Sequence, residues 1–119
     1  MKPVTLYGIP NCDTVKKARA WLTEHQLEPQ FHDFKKAGVP ADALNTWLHQ
    51  CGWETVINRK GTTWRKLNEA TRQSVLNSAS AQALALTHAS VIKRPIVAWA
   101  DGTVTVGFDP KRFAELAAR

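Results

Sequence analysis

The sequence predicts an α/β fold in which a β-α-β unit and a β-β-α unit contribute to one sheet, with a helical block between them. Three observations carry that expectation. A strand-like run passes into a helical pattern and a second short strand within residues 4–34; helical periodicity then holds from residue 42 to about 88; and two apolar runs near the end are separated by Asp101-Gly102.

Taken in order, Val4 to Gly8 is rich in β-formers and is broken by Pro10. Val15, Ala18 and Leu22 follow at spacings of three and four, the apolar stripe of a helix, with Trp21 beside it. The pattern fades between His25 and Pro29, and Gln30 to Phe34 reads as a second strand. A β-α-β connection of this length implies parallel strands with a right-handed crossover. Beyond the turn from Lys35 to Pro40, Leu44, Trp47, Leu48 and Cys51 share one helix face. Shorter helical pieces cover Trp64 to Leu76, and an alanine-rich helix covers Ser80 to Thr87. Pro95 to Ala100 and Thr103 to Gly107 form a hairpin, and Pro110 opens a last helix with Phe113, Leu116 and Ala117 inward. The expectation is a mixed four-stranded sheet in one domain over residues 1–119, with a helical insertion over residues 40–90. No internal repeat, linker or low-complexity tract interrupts it.

Composition limits the function classes. A chain of 119 residues, 44% hydrophobic and 22% charged with six Gly and six Pro, is globular and not disordered, collagenous or coiled-coil. Sixteen Lys and Arg against ten Asp and Glu give a net charge of +6, which favours anions: small oxyanions, nucleic acid or acidic peptides. No stretch approaches the roughly 18 apolar residues of a membrane span, and the first residues lack a secretory signal, so the expected location is the cytoplasm. Two cysteines are too few for a disulfide scaffold or a Cys-only zinc site, so each is judged as an individual thiol.

Cys12 stands between a strand end and the first turn of a helix, where unpaired backbone N–H groups and the helix dipole favour thiolate. Lys16 and Lys17 add positive potential one turn on, and Asp13 opposes it. Gly8, Pro10 and Asn11 are turn formers that hold the cysteine at the surface; the alternative is a buried structural thiol. Position 15 is Val, so there is no C-x-x-C pair. Cys51 instead follows Trp47 by four and Leu44 by seven, the spacing of a core face, and a resolving role for it depends on a distance the sequence does not give.

Two basic segments complete the candidates. Arg59, Lys60, Arg65 and Lys66 place four cations in eight residues around Gly61-Thr62-Thr63, where arginine offers a planar fork for phosphate, arsenate or carboxylate and Thr63 is placed to cap the next helix. A solvated basic turn is the equally open alternative. Lys93 and Arg94 precede Pro95, whose peptide isomer the residues alone leave open. His25, His32, His49 and His88 are scattered without ligand spacing, so no metal site is expected. The basic cluster lacks a recognition helix or an aromatic stacking motif, so no direct nucleic-acid binding is expected, and Trp47, Trp53, Trp64 and Trp99 read as core and packing residues.

Four ordered blocks, Tyr7 to Leu22 (YGIPNCDTVKKARAWL), Asn58 to Leu67 (NRKGTTWRKL), Ile92 to Val97 (IKRPIV) and Val106 to Phe108 (VGF), resemble the ArsC/Spx/YffB family of thioredoxin-fold proteins, most nearly its YffB branch. The resemblance covers nearly the whole chain. It implies a thioredoxin-like sheet with a helical insertion, a cis-proline at Pro95 and a nucleophile at Cys12. In the family's arsenate reductases the cysteine attacks arsenate, arginines hold its oxygens, and glutathione with glutaredoxin restores the thiol. Arg59 and Arg94 fall on two of those arginine positions. A third is replaced in the Val106–Phe108 region, and a histidine four residues before the cysteine is Gly8 here.

Those departures count against efficient arsenate chemistry, since each lost cation removes a charge-assisted bond of about 1.5–3 kcal/mol. The YffB branch shares them. The expected activity is therefore glutathione-dependent thiol/disulfide reduction by Cys12, with Arg59, Arg94, Pro95, Asn11 and Lys16 binding glutathione or another anion. No cofactor is expected to be resident; glutathione serves as co-substrate, glutaredoxin is a candidate partner, and the chain is expected to be a monomer. A different class of reading follows from the Spx members, which dock on RNA polymerase and do not turn over, although many of them carry a C-x-x-C switch that is absent here.

Overall fold

The computed structural model describes residues 4–118. Its elements are β1 (Thr5–Gly8), α1 (Asp13–Glu24), β2 (Gln30–Asp33), α2 (Phe34–Ala37), α3 (Ala41–Cys51), α4 (Trp53–Val56), α5 (Thr62–Lys66), α6 (Glu69–Gln73), α7 (Ser78–Thr87), β3 (Ile96–Ala98), β4 (Val104–Val106) and α8 (Pro110–Ala117), with a 3₁₀ turn at Ala89–Val91 before β3. They fall into two compact units: residues up to Ala37 together with those from Arg94 onward, and Gly38–Lys93.

The first unit holds a four-stranded sheet in the order β2-β1-β3-β4. β1 pairs parallel with β2 and antiparallel with β3, and β3 pairs antiparallel with β4, so the sheet is mixed as expected. Alternation along the strands puts Val4 and Leu6 of the first segment with Val97 and Trp99 of the third on one face. Val15, Ala18 and Leu22 of α1 and Phe113 and Leu116 of α8 are buried against them in one cluster. The spacing of three and four along α1 thus does what the sequence pattern requires. α8 starts where Asp109 accepts a hydrogen bond from the Lys111 N–H at 3.1 Å and Pro110 occupies the first turn.

The hairpin departs from the two-residue turn that Asp101-Gly102 suggests. Trp99 N–H bonds to the Thr103 carbonyl at 2.8 Å and Gly102 N–H to the Trp99 carbonyl at 3.0 Å, which makes a three-residue loop closed by Gly102 at φ 92°. A left-handed glycine ending a type I turn is the usual solution at that length. The strands are accordingly shorter than the apolar runs, and Phe34 leaves β2 to open α2, where it is buried.

The second unit packs α3 against α7 and α4. Leu44, Trp47 and Leu48 are buried on α3, and Ala81, Leu84 and Ala85 on α7. An antiparallel bridge between Ile57 and Ile92, with Lys93 N–H bonded to the Val56 carbonyl at 2.8 Å, ties the end of the unit back to its middle. Asn77 and Ser80 form a reciprocal capping box at the start of α7. Two expectations fail here. Thr63 caps nothing: α5 begins at Thr62, with Gly61 at the cap position, because Asn58 already turns the chain by accepting the Lys60 N–H at 3.2 Å. Trp53 and Trp64 lie only partly buried, unlike Trp47 and Trp99.

Candidate active site

At the end of β1 the chain turns through Pro10 and Asn11 and enters α1, with Cys12 at the N-cap position in extended conformation (φ −129°, ψ 122°). Its side chain caps nothing; its carbonyl accepts the Lys16 N–H at 2.9 Å, the first bond of the helix. Cys12 is half-buried and packs on the rim of the sheet–helix core, while Asn11 and Lys16 are exposed. A thiol so placed combines a fixed backbone with an open side, and the unpaired N–H groups of the first turn lie beside it.

The Arg94–Pro95 peptide is cis, as the resemblance implies. Tyr7 pairs with Ile96, and one further step of this antiparallel register sets Pro95 opposite Gly8. The proline therefore stands at the same end of the sheet from which the Cys12 turn departs. Pro95 is buried, and its carbonyl accepts the Gly107 N–H at 2.8 Å, with Gly107 in the left-handed region at φ 84°. Arg94 is half-exposed, and among the described residues no carboxylate is paired with it.

Arg59 belongs to the second unit, as do its contacts. Its guanidinium lies 3.3 Å from the Glu54 carboxylate and 5.3 Å from the centre of the Trp53 ring. It borders an open cleft of about 290 Å³ lined also by Asn58, Lys60 and Lys93. At 46% and 65% side-chain exposure the ion pair with Glu54 contributes little to stability and leaves the arginine open to a competing anion. Glu54 and Trp53 had no sequence signal, since five and six residues are not a shared-face spacing around a turn. Cys12, Asn11, Lys16, Arg94 and Pro95 thus belong to the first unit, and Arg59 to the second.

Neither cysteine is in a disulfide. Cys51 ends α3 and is half-buried, not a full member of the core face that its spacing suggests, because the helix stops there at Gly52 (φ 86°). Burial nevertheless pushes its thiol pKa up. Burial does the same to the Tyr7 hydroxyl, whose ring lies 5.1 Å from His32 and 6.4 Å from Phe34. Among the described residues no group of three or more His, Cys, Asp or Glu is arranged to hold a metal ion, and no helix is long and apolar enough to cross a membrane.

Residues 7–116 match the model of the ArsC family. The chain belongs to the ArsC family. Among ArsC-related structures it is similar to the YffB protein PA3664, at 46% identity over 96% of this chain and 98% of that one, with a TM-score of 0.90. It is also similar, at 46% identity over 95% and 92% of the two chains with a TM-score of 0.72, to an arsenate reductase (ArsC) related protein from Brucella melitensis. An uncharacterised protein of Haemophilus influenzae is 39% identical over 92% of this chain and 95% of its own length. The global transcriptional regulator Spx of Streptococcus pyogenes is 29% identical over 79% and 70%. The fold is the thioredoxin-like fold of these relatives.

Proposed function

We propose that this ArsC-family chain is a glutathione-dependent thiol–disulfide reductase with Cys12 as its nucleophile. The observation that carries the reading is the position of Cys12: half-buried at the start of α1, at the sheet end where cis-Pro95 stands, with no second cysteine at position 15. A single-thiol cycle fits that arrangement. The Cys12 thiolate attacks one sulfur of a disulfide, the S–S bond breaks, and the other half leaves as a thiolate that takes a proton. Glutathione then attacks the Cys12 sulfur of the mixed disulfide and expels the remaining half of the substrate as a thiol. A second glutathione attacks the glutathione sulfur of the resulting Cys12–glutathione disulfide, so that two glutathiones become one glutathione disulfide and Cys12 returns to its thiolate.

Arg94, with Asn11 and Lys16, supplies donors and positive charge on the same unit as the thiol for the carboxylates of glutathione, and Arg59 offers a planar fork for an oxyanion or carboxylate. By family resemblance, the backbone before Pro95 pairs with the glutathione backbone. Arsenate reduction is the weaker reading, because Gly8 and the Val106-Gly107-Phe108 segment replace two of the family's polar groups. The test is turnover of a small disulfide with glutathione, glutathione reductase and a nicotinamide reductant. Activity that vanishes in Cys12→Ser supports the proposal, and activity that survives the substitution refutes it.

The Spx relative favours a second reading, a regulator that binds RNA polymerase without turnover. Retention of polymerase in a pull-down, unchanged by Cys12→Ser, together with no disulfide turnover, favours it over catalysis.

A further inference from the structure

Gly8 is the last residue of β1, buried, and its backbone is not in the left-handed region, so conformation alone does not call for glycine there. Space does. A Cβ built on Gly8 would lie 2.8 Å from Cγ2 of Val15, 3.6 Å from its Cγ1 and 3.8 Å from its Cβ. Ordinary carbon–carbon contact begins near 3.5 Å, so any side chain at position 8 must displace α1 or Val15 by roughly 0.7 Å. Val15 is fully buried in the first turn of α1, and a β-branched side chain in a helix has one strongly preferred rotamer. The displacement therefore falls on the helix start, three residues after the thiol.

We infer that Gly8 and Val15 are positioning residues for Cys12: the Val15 methyl seated on the bare Gly8 backbone sets how closely the first turn of α1 approaches the sheet, and so where the thiol sits at the sheet end. The contact links the end of β1, where Tyr7 pairs with Ile96 next to Pro95, with the turn that carries Cys12. The inference deepens the proposal that Cys12 is the reacting group, but its readout needs no turnover.

The experiment measures alkylation of Cys12 by iodoacetamide from mildly acidic to mildly alkaline pH, followed by peptide mapping so that Cys51 is scored separately. Gly8→Ala should change the plateau rate at Cys12 or move the midpoint of its pH profile, because the access of the half-buried thiol and its distance from the first-turn N–H groups both follow the helix start. Adding Val15→Ala removes both γ-carbons and leaves only the 3.8 Å contact, so the double variant should return to the profile of Val15→Ala alone. A Gly8→Ala protein that loses thermal stability while its Cys12 profile stays that of the parent overturns the inference. If Gly8→Ala does not fold, the decision passes to the double variant: a profile matching Val15→Ala supports the contact, and one departing from it overturns it. An unreactive Cys12 in the parent chain would overturn both the inference and the proposed function, whereas a reactive thiol insensitive to Gly8→Ala would overturn the inference alone.

Discussion

Phe113 is the residue on which the packing of the first unit turns, and its removal makes a quantitative test. It is completely buried, and three rings meet it edge-on: Trp99 at 4.9 Å, Phe108 at 5.0 Å and Trp21 at 5.5 Å, with interplanar angles of 82°, 78° and 83°. Phe113→Leu keeps most of the buried apolar volume and forfeits the three ring pairs. At about 0.5–1.5 kcal/mol per pair, less what leucine regains by repacking, the expected loss is about 2 kcal/mol. Phe113→Ala opens a cavity as well and should cost about 4 kcal/mol. Urea unfolding followed by tryptophan fluorescence reads both, because Trp21 and Trp99 are themselves the contacting rings. The leucine variant should keep normal reactivity at Cys12, whose turn Phe113 does not form. A leucine variant within about 0.5 kcal/mol of the parent would refute the claim that the three edge-on ring contacts add to what the apolar burial of Phe113 contributes.

Further outcomes follow from single contacts. The Trp99 indole N–H donates to Thr105 Oγ1 at 2.9 Å in a part-buried setting, so Thr105→Val should cost about 1–2 kcal/mol in the same unfolding assay by leaving that donor unmet. Tyr7 and Cys51 are held protonated by burial, with folded pKa values above their ordinary 10.0 and 9.0, so their contribution to stability is fully present below about pH 9 and is lost as pH rises through the folded values. The urea midpoint should therefore fall as pH rises above about 9, and Tyr7→Phe and Cys51→Ala should each flatten that fall. Arg94→Ala and Arg59→Ala should each weaken capture of glutathione by about tenfold or more without moving the urea midpoint, as expected for loss of one charge-assisted bond. Full activity in both variants would remove the anion-binding role from the account.

The elements whose burial repeats with a regular period could be read from the residues. Val15, Ala18 and Leu22 predict α1, Leu44, Trp47 and Leu48 predict α3, and both helices bury those side chains. What local pattern cannot carry is competition between neighbouring groups. Thr63 has the chemistry of a cap, but Asn58 turns the chain first; Cys51 has the spacing of the core, but α3 ends at it. Of the candidate site, Cys12 and Pro95 were legible because turn formers, a helix start and a cationic pair before a proline each leave a mark on the residues. The Glu54 carboxylate on Arg59, the Gly107 N–H on the Pro95 carbonyl and the Val15 methyl over Gly8 depend on chain segments meeting in space.

The central claim is that Cys12 is a single reactive thiol serviced by glutathione. It is tested most directly by the intact mass of the reduced chain after incubation with glutathione disulfide at neutral pH, with peptide mapping of any product. The account predicts one glutathione on Cys12, released by excess reduced glutathione. Loss of two hydrogens through a Cys12–Cys51 bond, or no change in mass, would contradict it.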